Sequence, residues 1–297
     1  EGRLLFNWEG AIVYDGIVYD HVKYRLRGAN GRYHNGKRSF RIRFNSGQYL
    51  LAKNNQGQRF PTKWRELTTG KGQSNRGSET FAMNEVVNYF LWNKVGVPAP
   101  STFHFHFRVI RGAQQTPTDP YAGDFWGLNW AQEKYDVNFL EAHDLPKGNL
   151  YKLVDNYVLG NDERRYQGPL AVTNAQDFFN IENNLTGFQS IDWLNAHANY
   201  PSWYRYFAIA KGIRHYDTWP SANKNGAWYF EPRYGTSNSF LGRMMQLPYD
   251  STDTWGPTWN NGDDVLYNGI FASGAGGGDS GQHPEMQIEY RNVAREI

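Results

Sequence analysis

Arg214-His215-Tyr216-Asp217 and Leu247-Pro248-Tyr249-Asp250-Ser251-Thr252-Asp253-Thr254-Trp255-Gly256 bracket the stretch whose reading decides the fold. The first segment closes an apolar run, Ser202 to Ile213, in which Tyr204, Phe207, Ala208 and Ala210 mark a buried helix. After it come the polar run Asn223-Lys224-Asn225 and two short strand-like segments, Trp228 to Glu231 and Met244 to Pro248, around a Gly/Ser/Asn-rich loop. The second segment leaves the last of these strands. A lone hairpin set among helices therefore carries acidic loops on both of its outer sides.

Upstream, the pattern is helical from Asn174: Ala175 to Asn180, then Ser190 to Ala196. Downstream, Gly274 to Gly281 is glycine-rich and Pro284 to Glu296 reads as a closing helix. The opening third is different. Ala11 to Tyr19 is a hairpin broken at Asp15-Gly16, a favoured two-residue turn. Val22 to Leu26, Phe40 to Phe44 and Thr102 to Ile110 alternate apolar and polar residues, the period of half-buried strands. Asn75 to Val95 predicts a helix with Phe81, Val86, Phe90 and Leu91 on its apolar stripe, ended by Gly96 and Pro98. Trp126 to Gln132 and Asn149 to Val154 read as strands, with a short helix over Asp136 to His143 between them.

Strands first and helices later make an α+β order, not an alternating βαβ one. It is the order of an atypical two-lobed protein-kinase-like fold. The expectation is a single domain over residues 1–297, with a β-rich N-terminal lobe over 1–135 and a mainly helical C-terminal lobe over 136–297.

Composition narrows the function. The 297 residues contain no cysteine, which excludes disulfides, thiolate metal sites and a thiol nucleophile. A net charge of +2 argues against a broad nucleic-acid footprint. No stretch approaches the roughly 20 apolar residues of a membrane helix, so no membrane insertion is expected. Glu1 to Trp8 lacks the basic start and apolar run of an export signal. Eleven Trp and twenty Tyr, with abundant Asn and Gly, also suit a carbohydrate-binding or glycoside-cleaving domain.

Phosphoryl transfer needs a carboxylate near the acceptor hydroxyl, plus a carboxylate and an amide oxygen holding metal on the nucleotide phosphates. Asp217, then Asn223 or Asn225, then Asp250 supply those groups in the chain order kinases use. The same residues are also the ones that turns favour on structural grounds. Phe103-His104-Phe105-His106-Phe107 places two histidines on one strand face, read as polar residues of a half-buried strand. Asn184-Leu185-Thr186 fits a glycosylation acceptor and Asp263-Asp264 a solvated turn.

Five blocks in order resemble the CotH (spore coat protein H) family. Val22-Lys23-Tyr24-Arg25-Leu26-Arg27-Gly28 with Gly36-Lys37-Arg38-Ser39-Phe40-Arg41-Ile42-Arg43-Phe44 is similar to its opening. Asn93 to Pro100 is similar to the end of its first helix. Phe125 to Glu133, Gly148-Asn149-Leu150-Tyr151-Lys152, and Leu247 to Gly256 follow.

The resemblance implies a transferase using ATP and Mg²⁺ that phosphorylates Ser or Thr of a protein substrate, in an extracellular or cell-surface setting. It assigns Asp217 to the acceptor, Asp250 to the metal, and Asn223 or Asn225 with Asp253 as further metal ligands. Lys37, Arg38, Lys152 and Glu133 become the nucleotide-binding residues, and Glu79 or Glu85 a partner for such a lysine, although both glutamates also read as solvated helix residues.

Three departures stand out. Tyr249 replaces the family's Trp, the second acid comes three positions after Asp250, and Trp219-Pro220-Ser221-Ala222 lengthens the loop. They leave open a catalytically inactive surface or structural module. The kinase-like fold equally supports AMP transfer or amino-acid ligation.

Overall fold

The computed structural model describes residues 7–27, 38–70, 83–110, 124–153, 164–184, 189–215, 218, 225–232, 242–252, 254–255 and 283–297. Lys37, Glu79, Asp217, Asn223, Asp253, Asp263 and Asp264 lie outside these residues, as do the glycine turn 28–31, Leu185-Thr186 of the glycosylation triplet and the glycine run 274–281.

The Asp15-Gly16 turn is the clearest local determinant. Both residues have positive φ, 53° and 75°. That is the twist a two-residue hairpin requires, and it is tolerated best by Gly and Asp. It joins β1 (Trp8–Tyr14) to β2 (Ile17–Leu26), with Tyr14 opposite Ile17. β3 (Phe40–Arg43), β4 (Glu66–Gly70), β5 (Thr102–Val109) and β6 (Asp124–Gln132) complete an antiparallel six-stranded sheet in the order β1-β2-β3-β4-β6-β5. Strand alternation turns Tyr19, Val22, Phe40, Ile42, Leu67, Phe103 and Ala131 into one apolar cluster. Each fully buried large side chain there contributes about 1.5–3 kcal/mol. The three phenylalanines of β5 belong to this cluster or pack against it.

β4 was not evident in the sequence. Its Glu-Leu-Thr-Thr-Gly shows weak alternation because Glu66 and Thr69 are buried. Each is satisfied: Glu66 by Arg41 and Lys134, and Thr69 Oγ1 by accepting the Phe40 amide at 2.8 Å.

The chain divides into two compact units: Glu1–Val86 with Pro100–Lys134, and Val87–Ala99 with Tyr135–Ile297. The second unit contains a four-stranded antiparallel sheet in the order β10-β9-β7-β8, formed by β7 (Asn149–Leu153), β8 (Arg164–Tyr166), β9 (Gly226–Phe230) and β10 (Met244–Leu247). Every residue of β9 and β10 is buried.

α1 (Met83–Lys94) crosses from the first unit to the second; α2 (Val137–Ala142), α3 (Gln176–Asn184), α4 (Ile191–His197), α5 (Tyr200–Gly212) and α6 (Pro284–Glu296) belong to the second. Side chains start several of them. Asp136 caps α2 by accepting the Asn138 amide, and Ser190 caps α4 by accepting the Trp193 amide. The chain is thus α+β. No described helix is long and apolar enough to cross a membrane.

The buried face of α1 differs from the stripe read in the sequence. Phe90 is 57 % exposed, whereas Glu85, Asn88, Tyr89 and Trp92 are buried. These four follow the i, i+3, i+4, i+7 spacing of one helix face. Hydrophobic periodicity misses this face because half of it is polar. The solvated reading of Glu85 is corrected with it.

Candidate functional site

Three strands of the second sheet bring the sequence-designated residues to one end. Lys152 on β7 lies opposite Ala227 on β9, which lies opposite Leu247 on β10. Asn225 immediately precedes β9, and Pro248-Tyr249-Asp250 immediately follows β10. Lys152, Asn225 and Asp250 therefore share one edge of the sheet. Lys152 Nζ sits 3.6 Å above the centre of the Tyr249 ring. A cation held against an aromatic face in this way gains about 0.5–2 kcal/mol. Tyr249 thus keeps an aromatic platform where the family carries Trp.

The Gly148-Asn149-Leu150-Tyr151-Lys152 block has a physical reason at each step. A Cβ on Gly148 would fall 1.9 Å from the Phe230 carbonyl oxygen, so the approach of the two strands admits only glycine. Asn149 Nδ2 donates to Asp177 Oδ2 at 2.8 Å, and the Tyr151 hydroxyl donates to Asp177 Oδ1 at 2.8 Å. Burial pushes the Asp177 carboxyl up, against these hydrogen bonds. With Asn149 and Tyr151 anchored on one face of β7, alternation commits Lys152 to the other.

The loops at this end are conformationally strained. Arg214, Asn225, Asp250 and Trp255 all have φ between 50° and 68°, the left-handed region that non-glycine residues rarely occupy. Each such residue costs on the order of 1–3 kcal/mol, and such strain gathers at functional sites when the surroundings enforce it.

The enforcing bonds are identifiable. The His215 amide donates to Ala210 O at 2.8 Å and the Trp255 amide to Ile213 O at 2.7 Å. Thr218 Oγ1 donates to Asn225 O at 3.0 Å and lies 3.3 Å from the Tyr206 hydroxyl. Asn88 binds Ser251 and Thr254. His215 itself is completely buried, edge-on to Trp92 with ring centres 6.1 Å apart. Burial pushes its imidazole down to about 4, only partly opposed by the Tyr249 backbone, so the ring is neutral near pH 7. Among the described residues, neither ring nitrogen makes a close hydrogen bond.

The first unit holds Arg38 and Glu133. Arg38 is half-buried just before β3. Glu133 is buried and bound to its own unit: its amide donates to Ser101 O at 2.9 Å, and its Oε2 accepts from the Ser101 amide at 3.1 Å. Nearby in sequence is a feature the sequence did not expose. Lys23 lies opposite Arg43 and Arg25 opposite Arg41, so one face of the β2–β3 pair carries four cations. Like charges directly opposite are unfavourable. Glu66 relieves them: Arg41 binds its carboxylate with two nitrogens, and Lys134 Nζ lies 2.9 Å away. Burial alone would raise the Glu66 carboxyl, but the two cations outweigh it and hold it below the usual range.

Among the described residues, no three His, Asp or Glu side chains cluster as a ready metal cage. The donors at the sheet edge are oxygens, a carboxylate from Asp250 and an amide from Asn225. Oxygen donors suit a hard cation such as Mg²⁺, which takes one or two carboxylates and completes its shell with water and phosphate.

A cation, an amide and a carboxylate thus stand at one end of the second sheet. In the comparison with protein families, a model described as CotH kinase protein matches residues 24–293, nearly the whole sequence. The chain belongs to the CotH kinase family, and membership points to a kinase-like function. No curated protein matches it.

Proposed function

We propose that the chain is a two-lobed, kinase-like transferase that uses ATP and Mg²⁺ to phosphorylate Ser or Thr of an exported or cell-surface protein. The observation that supports this reading is the shared end of β7, β9 and β10, which carries Lys152, Asn225 and Asp250 beside strained loops. Bound there, Mg²⁺ and ATP would supply the transferable phosphoryl group and offset its charge. Asp250 and Asn225, with Asn223 and Asp253, hold the metal. Lys152, with Lys37 and Arg38, neutralises phosphate, and Glu133 belongs to the nucleotide side. Asp217 orients the acceptor hydroxyl and takes its proton.

Four of the eleven Trp, Trp64, Trp92, Trp203 and Trp228, are fully buried, which weakens the composition argument for a carbohydrate-binding domain. Those aromatics build cores and offer no stacking surface. The experiment is calorimetric titration with ATP, with and without Mg²⁺. Metal-dependent binding is expected. Equal heats in both, or none in either, would favour an inactive surface module.

A further inference from the structure

The Asn88 side chain on α1 binds three residues of one turn distant in sequence. It is completely buried, and it shares its helix face with Tyr89 and Trp92. Packing alone would be served there by an apolar side chain. Its Nδ2 donates to Ser251 O at 2.9 Å and to Thr254 Oγ1 at 3.0 Å, while its Oδ1 accepts from Trp255 Nε1 at 2.8 Å. A buried primary amide has two donor hydrogens and one acceptor oxygen, and all are engaged by the residues just after Asp250.

Asp250 and Trp255 have φ of 50° and 68°. Left to itself, a non-glycine chain would leave these conformations. Among the described residues, external restraints that oppose this include the Trp255 amide bond to Ile213 O, the Tyr135 hydroxyl on Pro248 O and the Asn88 amide. The first fixes only the far end of the turn. From outside the turn, Asn88 reaches the Ser251 carbonyl, one residue from Asp250; that carbonyl also accepts the Thr254 hydroxyl at 3.2 Å.

We propose that Asn88 is a positioning residue for the transfer reaction: by holding Ser251, Thr254 and Trp255 it sets where Asp250 presents its carboxylate. This rests on the reading of Asp250 as a metal ligand. Groups that orient a metal ligand from behind typically change metal affinity by roughly 10–100-fold when lost. Asn88 does so through the backbone of the ligand's own turn.

The test is titration of Mn²⁺ onto the protein in the presence of a non-hydrolysable ATP analogue, read by electron paramagnetic resonance. Asn88→Leu keeps the branched shape and removes all three bonds; Trp255→Phe removes one, and Thr254→Val removes one together with the Thr254 hydroxyl's own bond to Ser251 O. The Mn²⁺ dissociation constant should rise roughly 10–100-fold in Asn88→Leu and by a smaller factor in each of the others. Melting curves accompany every titration. A merely structural role lowers the melting temperature and leaves the Mn²⁺ constant of the folded fraction unchanged, which overturns the proposal.

Should Asn88→Leu fail to fold, Thr254→Val and Trp255→Phe decide: unchanged constants in both overturn it. Asp250→Asn in the same titration tests the underlying reading separately. If Asp250→Asn abolishes Mn²⁺ binding and the other variants do not weaken it, Asn88 is not the positioning group. If Asp250→Asn binds Mn²⁺ like the parent, the metal site lies elsewhere and the proposal falls with that reading.

Discussion

Lowering the pH from about 7.5 to about 5 should destabilise the protein by about 2 kcal/mol through His215 alone. The imidazole is fully buried and its pKa is pushed down to about 4 from an ordinary value of 6.5. As the pH falls through the ordinary value, the unfolded chain takes up a proton that the folded chain refuses until about 4. The unfolded state then binds more protons, so stability falls with pH in that window. Each pH unit is worth about 1.4 kcal/mol, and about one and a half units separate pH 5 from the unfolded value.

Other groups add to the pH dependence, among them Asp177, whose carboxyl burial pushes up, so the comparison is with His215→Phe, which keeps a ring against Trp92. Urea unfolding of both proteins in metal-free buffer at the two pH values gives the difference. The parent should lose about 2 kcal/mol more than the variant. Parallel losses would mean that the folded protein protonates His215 readily, and the account of a neutral ring behind Tyr249 would be wrong.

Glu66 acts in a lower window. Its folded carboxyl is held below the ordinary value of 4.5, so its contribution is present above that value and disappears as the pH falls through the depressed pKa. Glu66→Gln, which leaves Arg41 and Lys134 facing an uncharged amide, should cost about 3–5 kcal/mol near neutral pH by thermal or urea unfolding, with the deficit vanishing in acid. A deficit independent of pH would remove the charge from that argument. Lys152→Met should raise the apparent dissociation constant for ATP about tenfold, equivalent to about 1.4 kcal/mol, with the fold kept as judged by circular dichroism. An unchanged constant would leave Lys152 as only a packing partner of Tyr249.

Local chemistry made much of the fold readable. The Asp15-Gly16 turn and the alternation in β2, β3 and β5 act over a few residues, and each appears where the pattern predicts it. β4 was not readable because two of its buried residues are polar and are satisfied by side or main chains more than 20 residues away in sequence. The buried face of α1 was misread for the same reason: Glu85 and Asn88 look solvated until their surroundings are known.

At the site, Lys152 and Asp250 could be singled out because their blocks are short and ordered. The grip of Asn88 on the Asp250 turn spans 163 to 167 positions, beyond any local pattern. A cue did exist in the four cations of β2 and β3. Their alternation put like charges face to face, which demanded a buried acid nearby.

The most direct test of the central claim sets Asp217→Asn beside Asp250→Asn and measures ADP formation and ATP affinity for both. If one loop serves the acceptor and the other the metal, Asp217→Asn should lose turnover strongly while its nucleotide affinity stays close to that of the parent. That is the pattern of an interaction made chiefly in the transition state. Asp250→Asn should lose metal-dependent nucleotide binding along with turnover. Equal and mild effects in the two variants would contradict the account and make both loops structural.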